Sequence, residues 1–287
     1  MTSDELIQLR REKWHLNGSA VRTLDDARSL IESVGFALTY PSQPPMPLPT
    51  FIGAWQGSDE QLPQYRAFLD PRARDATELM VRLLRDKSAY EANLGDENNA
   101  LLLSASIFPY FYTLVGDRNP KQAPQPGPRS PYSELACDTY KIIQRKGPIS
   151  KLSVLEELGK GISVPALDKS LAELWSKLRI TRVDYNEREG ASWDVVYRWS
   201  PQAVADGINC SVVEALSALL SKYLDCVVAA DQQELESFFG NFVPRSRVRE
   251  AVNALLAARE LSFVPVGHRS LIQITQAQPI HRSSGTG

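Results

Sequence analysis

The first strong hydrophobic pattern lies near the N-terminus, between Thr23 and Gly35. Apolar residues recur there at intervals of three or four positions, which is the spacing of one face of an α-helix. Asp25 and Asp26 stand in the first turn after Thr23, where acidic residues favour a helix N-terminus, and a glycine commonly ends a helix. The sequence therefore predicts a helix from Thr23 to Gly35 with the apolar face Leu24, Ala27, Leu30, Ile31 and Val34.

Other segments before Gly116 carry weaker signals. Helical spacing predicts helices over residues 3–16 and 72–87, and short apolar runs predict strands over residues 88–91 and 100–104. Residues 40–49 contain five prolines, which exclude a helix and a central strand. We expect this proline-rich segment to be extended and to lie against the body of the protein.

The second half of the chain repeats one pattern twice. The first copy consists of predicted helices over residues 135–145, 151–158 and 164–177, followed by β-prone runs over residues 178–185 and 193–199. The second copy consists of predicted helices over residues 212–230, 232–239 and 245–259, followed by runs over residues 261–266 and 271–275. Three helices followed by a hairpin is the order of a winged-helix unit.

These patterns predict a mainly α protein with small β-hairpins, an α+β fold of tandem winged-helix units. We expect five segments, which are an N-terminal winged-helix-like unit with a proline-rich insertion (1–116), a linker (117–131), a second winged helix (132–200), a third winged helix (208–276) and a disordered tail (277–287). The linker is predicted from its prolines, glycines and polar residues, which show no periodicity.

Composition restricts the function classes. Hydrophobic residues make up 43% and charged residues 23% of the chain, as in an ordinary globular protein. The net charge is −2 and the isoelectric point is about 6.0, whereas dedicated DNA-binding proteins usually carry a clear basic excess. Strong non-specific DNA binding is therefore not expected, and any DNA contact requires a local basic face.

Membrane and metal chemistry are not indicated. No apolar run approaches the roughly 18 to 20 residues that cross a bilayer, and the charged N-terminus lacks the apolar segment of a secretory signal. The three cysteines and three histidines are scattered without metal-ligand spacing. We therefore expect a cytoplasmic protein that contacts no membrane and holds no metal or cofactor.

With these elements placed, the chain resembles the AlkZ/YcaQ-like DNA glycosylases, a family of winged-helix proteins. Three stretches carry the resemblance, and they follow the order of the family's elements: TLDDARSLIESVGF (23–36), LLRDKSAYE (83–91) and ALLLSASIFPYF (100–111). The resemblance implies three winged-helix units packed into a C-shaped clamp and duplex DNA as the partner.

The catalytic motif of that family is missing here. Family members carry glutamine, one further residue, and then glutamine or aspartate after the first of these stretches, and the alignment places Leu38 and Tyr40 at those positions. Leucine can neither accept a proton nor orient a water molecule, and tyrosine is a poor base at neutral pH. The family's histidine-glutamate pair falls on Asn98-Asn99. If another constellation performs the chemistry, its candidates are Tyr40, Gln43 and Glu91, with Tyr90, Asp96 and Glu97 nearby.

Basic residues of the two C-terminal copies are candidates for DNA contact, because winged helices place their third helix in the major groove and their hairpin along the backbone. In the first copy they are Lys151, Lys169, Lys177, Arg179, Arg182 and Arg188. In the second copy they are Arg245, Arg247, Arg249 and Arg269. Exposed basic residues usually pair with neighbouring acids, so a purely structural role for each of them stays open.

Three functions remain open from the sequence. The first is duplex-DNA binding without the standard glycosylase chemistry, and the second is an active DNA-repair glycosylase with a non-standard site. The third is a protein-binding winged-helix scaffold, including a homodimer. The apolar helix over residues 212–230 is interpreted either as a dimer face or as part of the core.

Overall fold

The computed structural model describes residues 1–65, 70–93 and 100–275. Within these ranges the protein combines helices with small antiparallel sheets, so the expected α+β class is confirmed. The tail expected over residues 277–287, the candidates Asp96 and Glu97, and the Asn98-Asn99 pair lie outside the described residues.

The first part of the chain surrounds a small sheet. Its helices are α1 (Ser3–Lys13), α2 (Leu24–Val34), α3 (Phe51–Gln56), α4 (Pro71–Arg85) and α5 (Phe108–Val115). Its strands are β1 (Phe36–Leu38), β2 (Ala89–Asn93) and β3 (Ala100–Ser104), in the antiparallel order β1-β3-β2. The expected start of α2 is confirmed, because the Thr23 side chain accepts a hydrogen bond from the Asp26 N–H while the Asp26 carboxylate accepts one from the Thr23 N–H.

The next elements follow the helix, helix, helix, hairpin order, with one additional strand. They are α6 (Glu134–Lys146), β4 (Ile149–Ser150), α7 (Lys151–Leu158), α8 (Val164–Trp175), β5 (Ile180–Asn186) and β6 (Gly190–Val195). The sheet order is β4-β6-β5, so the strand that the sequence did not predict pairs with the second hairpin strand. Ser150 and Ser163 begin α7 and α8 because each side chain accepts a hydrogen bond from a backbone N–H of the first turn.

The hairpin of this unit differs from the prediction of a strand over residues 193–199. The turn is shorter than expected, because Asn186 Oδ1 accepts the N–H groups of Arg188 and Glu189 and Gly190 adopts φ +76°. Strand β6 therefore begins at Gly190. The chain leaves the sheet after Val195 and forms two further helices, α9 (Val196–Trp199) and α10 (Pro201–Asn209).

The last elements repeat the same order. They are α11 (Val212–Val227), α12 (Gln232–Phe239), α13 (Arg245–Ala257), β7 (Leu261–Val266) and β8 (Arg269–Ile274). The two strands pair antiparallel, and Ala230 forms an antiparallel bridge with Ile272 on β8. Asp231 begins α12 as expected, since its carboxylate accepts the Glu234 N–H.

Helix α11 occupies the centre of the protein. It packs against α2, α5, α13 and β8. Its buried side chains are Ala215, Leu216, Leu219, Leu220, Tyr223, Leu224, Cys226 and Val227. Of the two interpretations of this apolar helix, the core role accounts for its buried face. The homodimer stays a prediction, and the buried face of α11 does not support it.

The N-terminal helix holds the C-terminal end of α11. The Arg10 guanidinium donates hydrogen bonds to the carbonyl oxygens of Val227 (2.8 Å) and Ala229 (2.7 Å). The Trp14 indole N–H donates to the Cys226 carbonyl oxygen at 2.8 Å. The last carbonyl groups of a helix have no partner within the helix, so these contacts supply donors to them and join α1 to the end of α11.

The segment expected as a linker lies against its neighbours. The Tyr112 hydroxyl donates a hydrogen bond to the Asp117 carbonyl oxygen at 2.8 Å, and the Tyr140 hydroxyl donates to the Pro120 carbonyl oxygen at 3.3 Å.

Within the described ranges no single helix is both long and apolar enough to cross a membrane, and α10 and α11 reach that length only as a pair bent by 113°.

Candidate nucleic-acid interface

The start of α13 presents the candidate arginines Arg245, Arg247 and Arg249. Arg245 is exposed and lies over Gly240, with its Cγ 3.1 Å from the point that a Cβ on that glycine would occupy. The Arg247 guanidinium lies 3.4 Å from the Glu250 carboxylate, with 64% and 65% of the two side chains exposed. So exposed an ion pair contributes little and is readily exchanged for a phosphate contact.

Arg249 is held more firmly than its two neighbours. Its guanidinium donates two hydrogen bonds to the Glu236 carboxylate, at 3.0 and 2.9 Å. This contact lowers the pKa of the Glu236 carboxyl and raises the pKa of the Arg249 guanidinium. A phosphate would have to displace Glu236, so Arg249 is a weaker candidate than Arg245 or Arg247.

Arg269 stands at the start of β8, beside the hairpin turn. Its side chain is 65% exposed and forms an ion pair with Asp231, the residue that caps α12. The position at the hairpin tip agrees with the expectation for a backbone contact, and the ion pair reduces the charge available there.

The second unit keeps four of its six candidates at the surface. Lys169, Lys177 and Arg188 are exposed, and Lys151 is half-buried in an ion pair with Asp168. Glu173 lies four residues after Lys169, but its carboxylate accepts hydrogen bonds from the backbone N–H and the hydroxyl of Ser133, both at 2.8 Å.

Arg179 is corrected from a DNA contact to a buried structural residue. Only 3% of it is exposed. Its guanidinium donates to the Asp117 carboxylate at 2.7 Å and to the Asn119 carbonyl oxygen at 3.2 Å, and it lies 4.9 Å from the centroid of the Tyr140 ring. These contacts fasten residues 117–122 to the second unit and leave no surface for a phosphate.

Arg182 and Glu91 are corrected together, because they face each other in the interior. The Arg182 guanidinium lies 4.4 Å from the centroid of the Trp175 ring and 3.4 Å from the Glu91 carboxylate. Arg182 is 7% exposed and Glu91 is 0% exposed. The pair joins β5 to β2, and neither side chain is presented at the surface. The sequence pattern could not show this, because the two residues are far apart in the chain.

Tyr40 is also corrected as a catalytic candidate. The residue is 3% exposed, and its hydroxyl is 2.9 Å from the Thr77 Oγ1 and 3.3 Å from the Ala73 carbonyl oxygen. Leu38, at the other position of the family motif, is 1% exposed and pairs with Leu101 in the sheet. Tyr90, a nearby alternative, is buried with its hydroxyl 2.7 Å from the Ser200 Oγ.

Gln43 remains exposed, on the proline-rich segment. It lines a cleft of about 310 Å³ next to the end of β1, together with Leu38, Met46, Asp59, Gln61 and Leu62. Asp59 forms an ion pair with Arg11 at 2.8 Å. The cleft has an apolar floor and amide groups at its rim, but an amide cannot act as a base at neutral pH.

Sequence reasoning missed a cleft of mixed charge on α4. Its volume is about 390 Å³, and Arg74, Arg82 and Arg85 line it together with Glu78 and Glu187, between this helix and Tyr185 of β5. Arg85 donates hydrogen bonds to the Asp184 carboxylate at 2.7 and 2.9 Å, which joins the helix to the hairpin. The signal was present in the sequence, since three arginines lie on the polar side of an amphipathic helix.

Among the described residues, no cluster of three or more His, Cys, Asp or Glu side chains could hold a metal ion.

Comparison with solved structures identifies a DNA glycosylase of similar fold. That protein is the Streptomyces sahachiroi DNA glycosylase AlkZ, with a TM-score of 0.60. The similarity covers 96% of this chain and 70% of that chain, at 14% sequence identity. At this identity the similarity shows the fold alone. No family model and no curated protein sequence matches the chain.

Proposed function

We propose that this protein binds duplex DNA through tandem winged-helix units and lacks the standard chemistry of the AlkZ-like glycosylases. The observation that carries the proposal is the similarity in fold to a DNA glycosylase over 96% of the chain. The buried Leu38 and Tyr40 at the positions of the family's polar pair support the second part, because they present no polar group that could orient a water molecule at a sugar.

The order of elements supports the winged-helix assignment. In both C-terminal units the third helix follows the second after a short connection, and a hairpin comes next. Helix α13 contacts α11, α12 and β7 and leaves its first turn in solvent, whereas the C-terminal end of α8 contacts β2 through Trp175. We therefore assign the major-groove contact to α13 and a flanking contact to the exposed part of the second unit.

The charges define a modest interface. Arg245 and Arg247 are the groups available for phosphate, Arg269 and Arg249 are partly neutralised, and Lys169, Lys177 and Arg188 extend the surface on the second unit. Because the net charge is −2, affinity has to come from this local surface. Each phosphate contact contributes roughly 0.9 to the slope of log K against log salt.

The experiment is duplex binding by fluorescence anisotropy over a salt series. The double variant Arg245→Ala/Arg247→Ala should bind more weakly and lower the salt slope by about 2. The control is Arg145→Ala/Lys146→Ala, which removes the same charge from the end of α6, where both residues pair with Glu157. Equal losses of duplex affinity in the two double variants contradict the proposal. Absence of binding by the wild type at low salt also contradicts it and favours the protein-binding scaffold.

The cleft beside Gln43 favours one second candidate, a glycosylase with a non-standard site. Among the described residues that line it, Asp59 carries the one titratable carboxylate, and the apolar floor could hold a base. The test is strand scission at abasic sites after incubation with alkylated duplex. Activity that disappears in Asp59→Asn and in Gln43→Ala supports this candidate, and absence of product in the wild type rejects it.

A further inference from the structure

Helix α13 packs against the protein with one face and presents the opposite face to solvent. Its buried side chains are Val248, Ala251, Val252 and Leu255. Because a helix makes one turn in about 3.6 residues, the opposite face is formed by positions that lie half a turn away from these. Those positions are Ser246, Glu250, Asn253 and Ala257, and all four are exposed. We call these four residues the outward row.

Two arginines lie on the flanks of the outward row. By the helical period, Arg249 falls on one side of the row and Arg247 on the other. Arg249 contacts Glu236 of α12 at 2.9 Å, and Arg247 lies 3.4 Å from Glu250. A helix in the major groove turns its flanks towards the two phosphate backbones and its outermost side chains towards the base edges. The cations of α13 are therefore placed for phosphates and the outward row for bases.

The outward row contains two side chains that can distinguish base pairs. The Asn253 amide has a donor and an acceptor side by side, which match the N7 and N6 groups of adenine. The Glu250 carboxylate only accepts hydrogen bonds, which matches the N4 amino group of cytosine. Within the described part of the chain no hydrogen bond holds the Asn253 amide, so it can turn towards a base.

The spacing of these two residues fits neighbouring base pairs. Glu250 and Asn253 are three positions apart, which corresponds to a rise of about 4.5 Å along the helix. Consecutive base pairs are about 3.4 Å apart along the duplex. The other two members of the outward row, Ser246 and Ala257, are small and leave room for the helix to approach the base edges.

The third helix of the second unit lacks such a row. Helix α8 buries Leu167, Ser170, Leu171, Leu174 and Trp175. The positions on its opposite side are Pro165, Lys169 and Ala172, which include neither a carboxylate nor an amide. We therefore expect one short recognised stretch of duplex, contacted by α13, and no repeat of that stretch for α8.

We propose that α13 selects a short base sequence, with Asn253 contacting an adenine and Glu250 contacting a cytosine of a neighbouring base pair in the major groove. This inference rests on the proposed duplex-DNA binding. Phosphate contacts position a protein on the duplex and carry no sequence information directly, so Arg245 and Arg247 alone give no selectivity. A Glu250 carboxylate that meets a base edge without an amino group is repelled, and this repulsion rejects other sequences.

The experiment selects bound duplexes from a randomised pool with the full chain. An A·T pair and a neighbouring C·G pair should be enriched. Fluorescence anisotropy then compares the selected duplex with duplexes in which one of these pairs is exchanged, and each exchange should weaken binding by about tenfold.

Two variants test the two contacts separately. Asn253→Ala should lose the preference for the A·T pair and keep the salt slope, because an amide does not neutralise a phosphate. Glu250→Gln should lose the preference for the C·G pair and bind unselected duplexes more tightly, because it removes a charge that other base edges repel.

Matched controls make the same two changes elsewhere. They are Asn209→Ala at the end of α10 and Glu260→Gln after α13, both at exposed positions. Each control should keep both base preferences. Circular dichroism confirms that each variant is folded.

The outcomes separate this inference from the proposed function. Duplex binding that depends on Arg245 and Arg247, without an enriched sequence, overturns the inference and leaves duplex binding in place. An enriched sequence that Asn253→Ala and Glu250→Gln both retain places the base contacts elsewhere and also overturns the inference. Absence of binding to every duplex overturns both proposals.

Discussion

The contact between Arg10 and the end of α11 offers the sharpest test of how the N-terminal helix is held to the rest of the protein. Arg10→Ala removes the donor of two hydrogen bonds to main-chain oxygens, at 2.8 and 2.7 Å. Val227 and Ala229, which supply those oxygens, are both 0% exposed. Loss of the guanidinium therefore leaves the Ala229 carbonyl with reduced access to a replacement partner, whereas the Val227 carbonyl keeps the N–H of Ala229 at 2.8 Å.

The magnitude follows from the type of bond. A hydrogen bond to a charged group contributes about 1.5 to 3 kcal/mol. Arg10 is half-buried, so water replaces part of the lost contact and the lower value applies to each bond. We expect Arg10→Ala to lower the free energy of unfolding by about 3 kcal/mol. With a urea dependence of about 3 kcal/mol per molar, the midpoint should fall by about 1 M.

The assay is equilibrium unfolding in urea, followed by far-ultraviolet circular dichroism. Arg10→Lys keeps the charge but has no planar fork to reach both oxygens, so it should lose about half as much. Gln8→Ala, on the exposed face of the same helix, is the control and should stay within about 0.5 kcal/mol of the wild type. If Arg10→Ala and Gln8→Ala unfold at the same urea concentration, the contact does not stabilise the packing of α1 against α11.

Two further predictions concern stability. Burial raises the pKa of the Glu234 carboxyl, so its contribution to stability is complete below the ordinary carboxyl pKa of about 4.3 and is lost as pH rises through the raised folded-state value. Glu234→Gln should therefore leave the melting temperature unchanged at about pH 4 and raise it at about pH 8. The same change at exposed Glu260 should leave the melting temperature unchanged at both pH values. A difference between Glu234→Gln and the wild type that does not vary with pH contradicts this reasoning. Gly35 has φ +73°, and an added Cβ would lie 2.6 Å from the Lys222 Cγ, so Gly35→Ala should cost about 1 to 3 kcal/mol in urea unfolding. Gly127→Ala is the matched control, because nothing lies within 4 Å of the added Cβ. If the two variants have the same free energy of unfolding, the expected strain at position 35 is absent.

Local signals in the sequence were sufficient to predict the bounds of several helices and strands and the position of some arginines of the candidate interface. The bounds predicted for α7, α12 and β3 agree with the structure, because Ser150 and Asp231 cap their helices through neighbouring backbone groups and Ala100 to Ser104 is a bounded apolar run. The sequence also predicted the arginines at the start of α13. That helix begins after Pro244, and its first arginines alternate with Ser246 and Val248. Caps and short runs depend on residues a few positions apart, which a sequence displays directly.

The tertiary structure decided which polar groups are accessible. Arg182 and Glu91 meet across 91 positions of the chain, and Arg179 reaches Asp117 across 62, so their burial follows from the packing of one unit against another. Strand β4 exists because β6 offers it a partner. A sequence gives the chemical type of each side chain and its local preference, whereas exposure and long-range pairing depend on the free energy of the assembled core.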